Sequence, residues 1–374
     1  MRAALASVLV AAASFAIVVA GTPSRGTPLW AGARYTIEER DRAVLRGLGF
    51  IYRCARRPEY FREWGHDLLG AFYNIAETSS GRDVRDLARR MGRERSVEWR
   101  RIHPGVPPGT DPEQMKALVF GNDSAERLGV PDPTMRAALT AAAARFSAAD
   151  YLGFDPAVEP PPADFPKPCE KCGRQNRRGS TVCSRCGSRL EMYSRYDLYQ
   201  DALIDTYWGE RSGIRLGAPY ADVLQWLPWL RPWPARRPGN EDEYYAGVYA
   251  ITHVIYTYNG YSVYRVSPAC FPQEFEYLKD NLRDAIADRD PETMGEYLDT
   301  LRAFGLTFAD GVIRQGFEYL LSVQNPDGSW GDPKADPYGR YHPTWTSVDG
   351  LRDYRWSRVL PCPPLAATPR PARP

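Results

Sequence analysis

Four of the seven cysteines stand in two C-x-x-C-G units, Cys169/Cys172/Gly173 and Cys183/Cys186/Gly187, ten residues apart. Two thiolates separated by two residues can hold one edge of a tetrahedral ion, and the following glycine lets the backbone fold beneath the sulfur with a positive φ. Four protein ligands close the coordination sphere, so the spacing predicts one structural Zn2+ rather than a catalytic one. The competing assignment is a pair of disulfides or a redox C-x-x-C, which an oxidising compartment favours. Lys167, Lys171, Arg174, Arg177, Arg178, Arg185 and Arg189 make this module basic. Small basic modules often touch nucleic acid. The exported character of the N-terminus, described below, argues against that and leaves docking of an unknown protein partner, or a lid, as the expected role.

The chain has four histidines, and two of them sit where chemistry is conceivable. His253 lies in a helix-patterned stretch, 240–258, that is aromatic nearly all round, with Tyr244, Tyr245, Tyr249, Tyr256 and Tyr258. A helix apolar on every side is a buried one. Tyr245, Tyr249, His253 and Tyr256 fall along one face and are expected to look into a cavity. His342 opens the last helix, and Asp349 follows two turns later. His253 and His342, with Asp349 or Asp332 as the acid, are the candidate catalytic residues. Asp67, Asp205 and Glu210 are further acids, but no spacing singles out a pair of the kind glycoside hydrolysis uses. The bland reading is a satisfied core histidine and capping or surface carboxylates.

The elements around these residues read as helical hairpins. Apolar positions recur at helical spacing in 34–49, 60–77, 82–101, 113–120, 134–151, 196–207, 220–229, 273–288, 291–304 and 309–323. Thr36 with Glu39 makes a capping box, Asn240 with Glu243 a second capping pair, and Pro291 with Glu292 a helix start. Short echoes, Gly49-Phe50-x-Tyr52 against Gly316-Phe317-x-Tyr319 and Phe275-Glu276-Tyr277-Leu278 against Phe317-Glu318-Tyr319-Leu320, suggest a repeated unit. The segment Gly316 to Trp330 ends one such helix at Asn325-Pro326-Asp327-Gly328. Proline cannot continue a helix, and Asp-Gly supplies a turn.

With Arg314, Gly316, Phe317, Tyr319, Leu320, Gln324, Gly328 and Trp330, that segment resembles the glutamine-tryptophan repeat of the squalene-hopene cyclase and prenyltransferase superfamily. The resemblance implies an all-α fold, an α/α toroid of helical hairpins in which Gln and Trp tie neighbouring hairpins together. It does not imply a reaction. The D-x-D-D acid of the class II cyclases is missing, and so is D-D-x-x-D. Tyr341-His342-x-Thr344 is similar to the segment that carries the zinc-ligating histidine of protein prenyltransferases, but the matching D-x-C is absent. The four-cysteine unit, in turn, resembles a zinc ribbon.

The expected organisation is a signal peptide or N-terminal anchor over 1–20, one helical part of the toroid over 30–156, and a proline-rich linker over 157–168. A zinc ribbon over 169–190, a second helical part over 195–358 and a disordered tail over 361–374 complete it. Met1 to Ala20 is an apolar, alanine-rich run behind Arg2, with a small-residue exit, so the chain is expected to be secreted or periplasmic, or held by a membrane anchor. A net charge of +2 gives no bulk attraction to nucleic acid or membrane. Two functions follow. The first, slightly favoured because the acid motifs are missing, is an exported binding or scaffold protein. The second is an enzyme acting on an isoprenoid or on a glycan. A hydrophobic small molecule retained in the cavity favours the isoprenoid, and a polar cavity with paired carboxylates the glycan.

Overall fold

The computed structural model describes residues 34–365, and the regular structure within them is almost entirely helical. The first helices are α1 (Ile37–Ala55), α2 (Pro58–Thr78), α3 (Arg82–Ile102), α4 (Pro112–Arg127), α5 (Pro133–Ala143) and α6 (Ala148–Leu152). After the cysteine module come α7 (Arg195–Ser212), α8 (Tyr220–Leu224), α9 (Leu227–Leu230) and α10 (Glu241–Tyr258). The last four are α11 (Pro272–Ala287), α12 (Pro291–Ala303), α13 (Gly311–Val323) and α14 (Tyr338–Leu351). The strands are two residues each, β1 (Arg265–Val266) and β2 (Val359–Leu360), paired in parallel.

Local chemistry sets most helix ends. Thr36 and Glu39 form the expected capping box of α1, and Ser194 with Asp197 does the same for α7. Asn240 departs from expectation. Its side chain makes no capping bond to α10, and its Oδ1 accepts from the Arg237 N–H at 2.7 Å, which closes the preceding turn. The expected helix over 134–151 is two helices, because the chain breaks after Ala143 and Ser147 starts α6 with its own capping box. The stretch 220–229 likewise divides into α8 and α9.

The packing follows a simple order. Helix α2 packs on α4, α4 on α7, α7 on α10, α10 on α12, and α12 on α14. The Tyr341 hydroxyl of α14 donates to Asp67 of α2 at 2.7 Å, which leads back to the start. Helices α1, α3, α5, α11 and α13 pack against these. One continuous apolar core runs through both helical parts.

The Gln324-to-Trp330 turn ties α13 to α1. Gln324 Nε2 donates to the Ala43 carbonyl of α1 at 2.9 Å and to the Gly328 carbonyl at 3.0 Å. Trp330 is fully buried, and its Nε1–H donates to the Leu320 carbonyl, an orphan acceptor at the end of α13. Gly328 has φ +90°, and a Cβ there would stand 2.7 Å from the Arg46 carbonyl oxygen, so only glycine fits.

Two boundaries differ from the sequence reading. Residues 157–168 are not a free linker: Pro161, Pro162 and Pro166 are buried, Lys167 N–H donates to the Glu191 carbonyl, and Arg178 pairs with Glu159 and Asp164. Residues 361–365 are not a loose tail. Cys362 is disulfide-bonded to Cys270, and the Pro361 carbonyl accepts from the Tyr258 hydroxyl. The leader over 1–20 and the rest of the tail lie outside the described residues. No described helix is long and apolar enough to cross a membrane.

Candidate active site and metal centre

A cavity of about 320 Å³ lies where α2, α4, α7, α10, α12 and α14 all contribute side chains. Most contribute them at positions i and i+4, the spacing that puts two side chains on one helix face. The pairs are His66/Gly70, Phe120/Ser124, Tyr249/His253, Glu292/Glu296 and Tyr338/His342, and α7 adds Gln200, Ile204 and Trp208. Asp67, Asp201, Tyr261 and Trp345 complete the lining. No lysine or arginine lines this space among the described residues. A smaller extension of about 50 Å³ continues past His253, Glu296 and His342 to Asp299, Asp349 and Arg352.

The ionisable groups are held in contrasting states. His342 Nδ1 stands 3.0 Å from Glu292 Oε1. The pair is close enough for an ion pair, but its angle is not that of a hydrogen bond, and Nδ1 has no other partner among the described residues. Burial opposes charge on His342, yet Glu292, and then Asp67 and Glu296, outweigh it and lift the imidazole to about 9. It is therefore an imidazolium at neutral pH. Glu292 is pushed up by burial, but His342 pulls it below its usual range.

Glu296 behaves oppositely. Burial pushes it up to about 8, against the Thr252 hydroxyl that donates to its Oε2 at 2.5 Å, so it keeps a proton at neutral pH. His253 is held neutral, because burial lowers it to about 4. Its Nδ1–H donates to the Tyr249 carbonyl at 2.8 Å, which leaves Nε2 as the basic nitrogen. Asp201 lines the cavity and keeps exposed surface; the protein packed around it, with Asp205 nearby, pushes it up to about 7.

The structure thus brings His253 and His342 into one cavity and places Asp349 in its extension, where Asp349 Oδ1 accepts from Arg352 Nε at 2.6 Å. Asp332 lies apart. It is an exposed turn residue that accepts from the Lys334 N–H, and it lines neither space. Tyr245 also lies apart, because it sits a turn before Tyr249 on α10 and reaches Asp288 at the surface. Sequence reasoning missed Glu292, Glu296, His66 and Asp201. Glu292 looked like a helix-start residue, but Asp290 caps α12 and frees the Glu292 side chain for the cavity. Glu296 carried a usable signal: a carboxylate one turn later in a helix whose other positions are almost all buried.

The cysteine module is separate. The sulfurs of Cys169, Cys172, Cys183 and Cys186 lie within 4.8 Å of one another, and none is disulfide-bonded. Cys169 Sγ is 3.5 Å from Cys186 Sγ, and Cys172 Sγ is 3.6 Å from Cys183 Sγ. A tetrahedral ion with sulfur bonds of 2.3 Å would space its sulfurs about 3.8 Å apart. The four residues could therefore hold one metal ion. Gly173 and Gly187 have φ of +69° and +72°, and their N–H groups donate to the Cys169 and Cys183 carbonyls, which folds each knuckle under its sulfurs. The module has a core of its own, Cys169, Cys183 and Leu190. No known family, no curated protein and no solved structure matches the chain.

Proposed function

We propose that the chain is an α/α toroid whose central cavity carries out acid–base chemistry on a glycan, with the cysteine module as a structural zinc ribbon. The observation that carries this reading is the contrast inside one cavity: Glu296 protonated and His253 neutral beside the charged His342–Glu292 pair. Groups whose environments push their protonation apart are the usual mark of an acid and its base. The rings of Trp208, Trp345, Tyr249 and Tyr261 offer faces for a sugar, and the volume sits at the small end of ligand pockets, enough for one or two sugar rings. The main cavity has no lysine or arginine in its described lining, and the Arg352 of its extension is held by Asp349, which weighs against a diphosphate bound in the main cavity.

In glycoside hydrolysis, Glu296 would give its proton to the departing sugar oxygen. A water adds to the anomeric carbon and loses a proton to a carboxylate from another helix, Asp67 or Asp201. The His342–Glu292 pair would orient the ring. The succession of packed helices, with the Tyr341–Asp67 hydrogen bond joining its ends and the Gln324 bond tying α13 to α1 beside it, supports the toroid. The Cys270–Cys362 disulfide supports export, and a closed zinc site is compatible with it if metal binds before oxidation. The experiment is incubation of the mature, zinc-loaded protein with a panel of neutral oligosaccharides, with products read by mass spectrometry. Cleavage that is lost in Glu296→Gln supports the assignment. No product with any glycan, and a lipid-sized adduct in the native mass, would return the cavity to the isoprenoid reading.

A further inference from the structure

A second pocket, of about 260 Å³, lies between the C-terminal end of α1, the start of α2 and the start of α14. Three guanidinium groups line it: Arg53, Arg57 and Arg340. One carboxylate, Asp327, faces them, with Arg340 Nη2 at 2.5 Å from its Oδ2. Among the described residues, Arg53 donates only to the Asp327 main-chain carbonyl. Arg57 has no carboxylate nearer than the exposed Glu59 at 4.0 Å among the described residues, and its Nη1 reaches the Tyr60 hydroxyl at 3.5 Å. Arg340 Nε is buried without a hydrogen-bond partner among the described residues. The floor is Cys54, which is 6% exposed. Burial pushes its thiol up to about 11 against the pull of Arg340, Arg53 and Arg57, so the thiol stays neutral and does not offset their charge. Three positive charges therefore converge on one negative one.

We infer that this pocket binds a tetrahedral oxyanion, a phosphate or sulfate group, on Arg53, Arg57 and Arg340. Planar guanidinium groups give paired N–H donors to such an anion, and the exposed, loosely held Arg57 and the N–H groups of Arg53 beyond its one bond to the Asp327 carbonyl are the donors left over for it. The pocket shares a wall with the central cavity. Pro337 lines the pocket and Tyr338, the next residue, lines the cavity. Tyr60 lines the pocket, its ring lies 5.8 Å from Trp64, and Trp64 lies 6.3 Å from Tyr338. The anion is thus either a free ion or an ester group of the molecule bound next door; only the second source rests on the glycan reading.

The test is calorimetric titration of the full, metal-loaded chain with inorganic phosphate and with inorganic sulfate at constant ionic strength. One saturable site is expected, weakened about tenfold or more in Arg57→Gln and Arg340→Gln, the loss expected for one charge-assisted hydrogen bond. Arg340→Gln also removes the Asp327 contact, so Arg57→Gln, at an exposed residue, gives the reading free of folding effects. Arg56→Gln, outside the pocket, should leave binding unchanged. No saturable binding at millimolar anion overturns the proposal, as does binding undiminished in Arg57→Gln. Glucose 6-phosphate binding at least tenfold more tightly than inorganic phosphate would assign the anion to an ester. Equal affinity would assign it to the free ion, and that outcome holds even if no glycan is ever cleaved.

Discussion

The cysteine module and the central cavity are both built from a handful of reactive side chains, but they are assembled in opposite ways. The module takes its four thiols from one short run of chain, 169–186, with glycine-bearing turns that need little beyond themselves. The cavity takes its groups from six helices spread from His66 to Trp345, and no one of those helices carries a complete site. The first is set by local geometry, and its four thiols could hold a metal ion. The second is held by the packing of the whole helical body. The contrast teaches that the two should fail independently.

Removing the metal is the strongest way to break that contrast. The module's own core is three side chains, too few to hold twenty residues without help, whereas a structural zinc is worth roughly 10–16 kcal/mol to a small module. Cys172→Ser, or chelation, should unfold residues 165–193 and open them to protease. The melting of the helical body should hardly change. If the whole chain unfolds together, the module belongs to the main core and the comparison fails.

Substitutions in the cavity should do the reverse. Glu296→Gln keeps an acceptor for the Thr252 hydroxyl and removes the transferable proton. Turnover of a cleaved glycan should fall by roughly 10²–10⁴-fold, the usual share of one acid–base group, with little change in melting temperature. His253→Ala should lose turnover similarly. A large loss of stability with unchanged turnover would assign His253 to packing, through its 2.8 Å bond to the Tyr249 carbonyl.

The same assembly difference decides what could be read from the sequence. The ligand set Cys169, Cys172, Cys183 and Cys186 was legible because its spacing is its geometry. The helical character was legible from periodicity and capping residues such as Thr36. His253 could be named as a lone histidine in a helix that reads as buried, and His342 from the Tyr341-His342-x-Thr344 resemblance, but nothing in the sequence states that they share a space. Asp332 was a poor candidate because an exposed turn Asp and a buried cavity Asp look alike on paper. Glu292 was masked by its position at a helix start, where acids are common for reasons of capping and dipole. The Arg53, Arg57 and Arg340 pocket was illegible for the cavity's reason: two of its arginines come from the first hairpin and the third from the last.

The pH dependence of stability sharpens the comparison at a smaller scale. His342 is raised in the folded chain, so the stability it contributes is fully present below its unfolded value near 6.5 and is lost as pH rises through about 9. Glu296 is also raised. It holds a proton that the unfolded chain releases near 4.3, so folding is progressively disfavoured as pH rises toward about 8. Both act in the same direction. Unfolding free energy should fall between about pH 6.5 and 9, on the order of 5 kcal/mol at about 1.4 kcal/mol per pH unit for each group, and Glu296→Gln should remove the Glu296 share of roughly 2 kcal/mol. His253 acts on the other side: it is lowered to about 4, so its own contribution is lost as pH falls from about 6.5 toward 4, where it offsets the gain from Glu296 and leaves the profile nearly level. A flat profile from 6.5 to 9 would mean that water reaches these groups freely and that the cavity is not the low-dielectric site it is taken to be.

The smallest expected effect tests how the cavity is closed. Gln324 joins α13 to α1 through one hydrogen bond to the Ala43 carbonyl, and stiffens its own turn through another to the Gly328 carbonyl. Gln324→Ala removes both donors and leaves two acceptors short, which costs about 1–2 kcal/mol. In a domain of this size that is a drop of about 2–4 °C per kcal/mol in melting temperature. Asp332→Asn, in the exposed turn just beyond, should cost nothing measurable. Gly328→Ala should cost more than either, since its Cβ meets the Arg46 carbonyl at 2.7 Å and its φ is +90°. If Gln324→Ala lowers glycan turnover more than its stability loss explains, the junction of first and last helices sets the cavity's shape, because His342 and Asp67 are brought together across that same junction through the Tyr341 hydroxyl. If only stability changes, the six cavity-lining helices hold the cavity without it, and the Gln324-to-Trp330 turn is a fastening outside them.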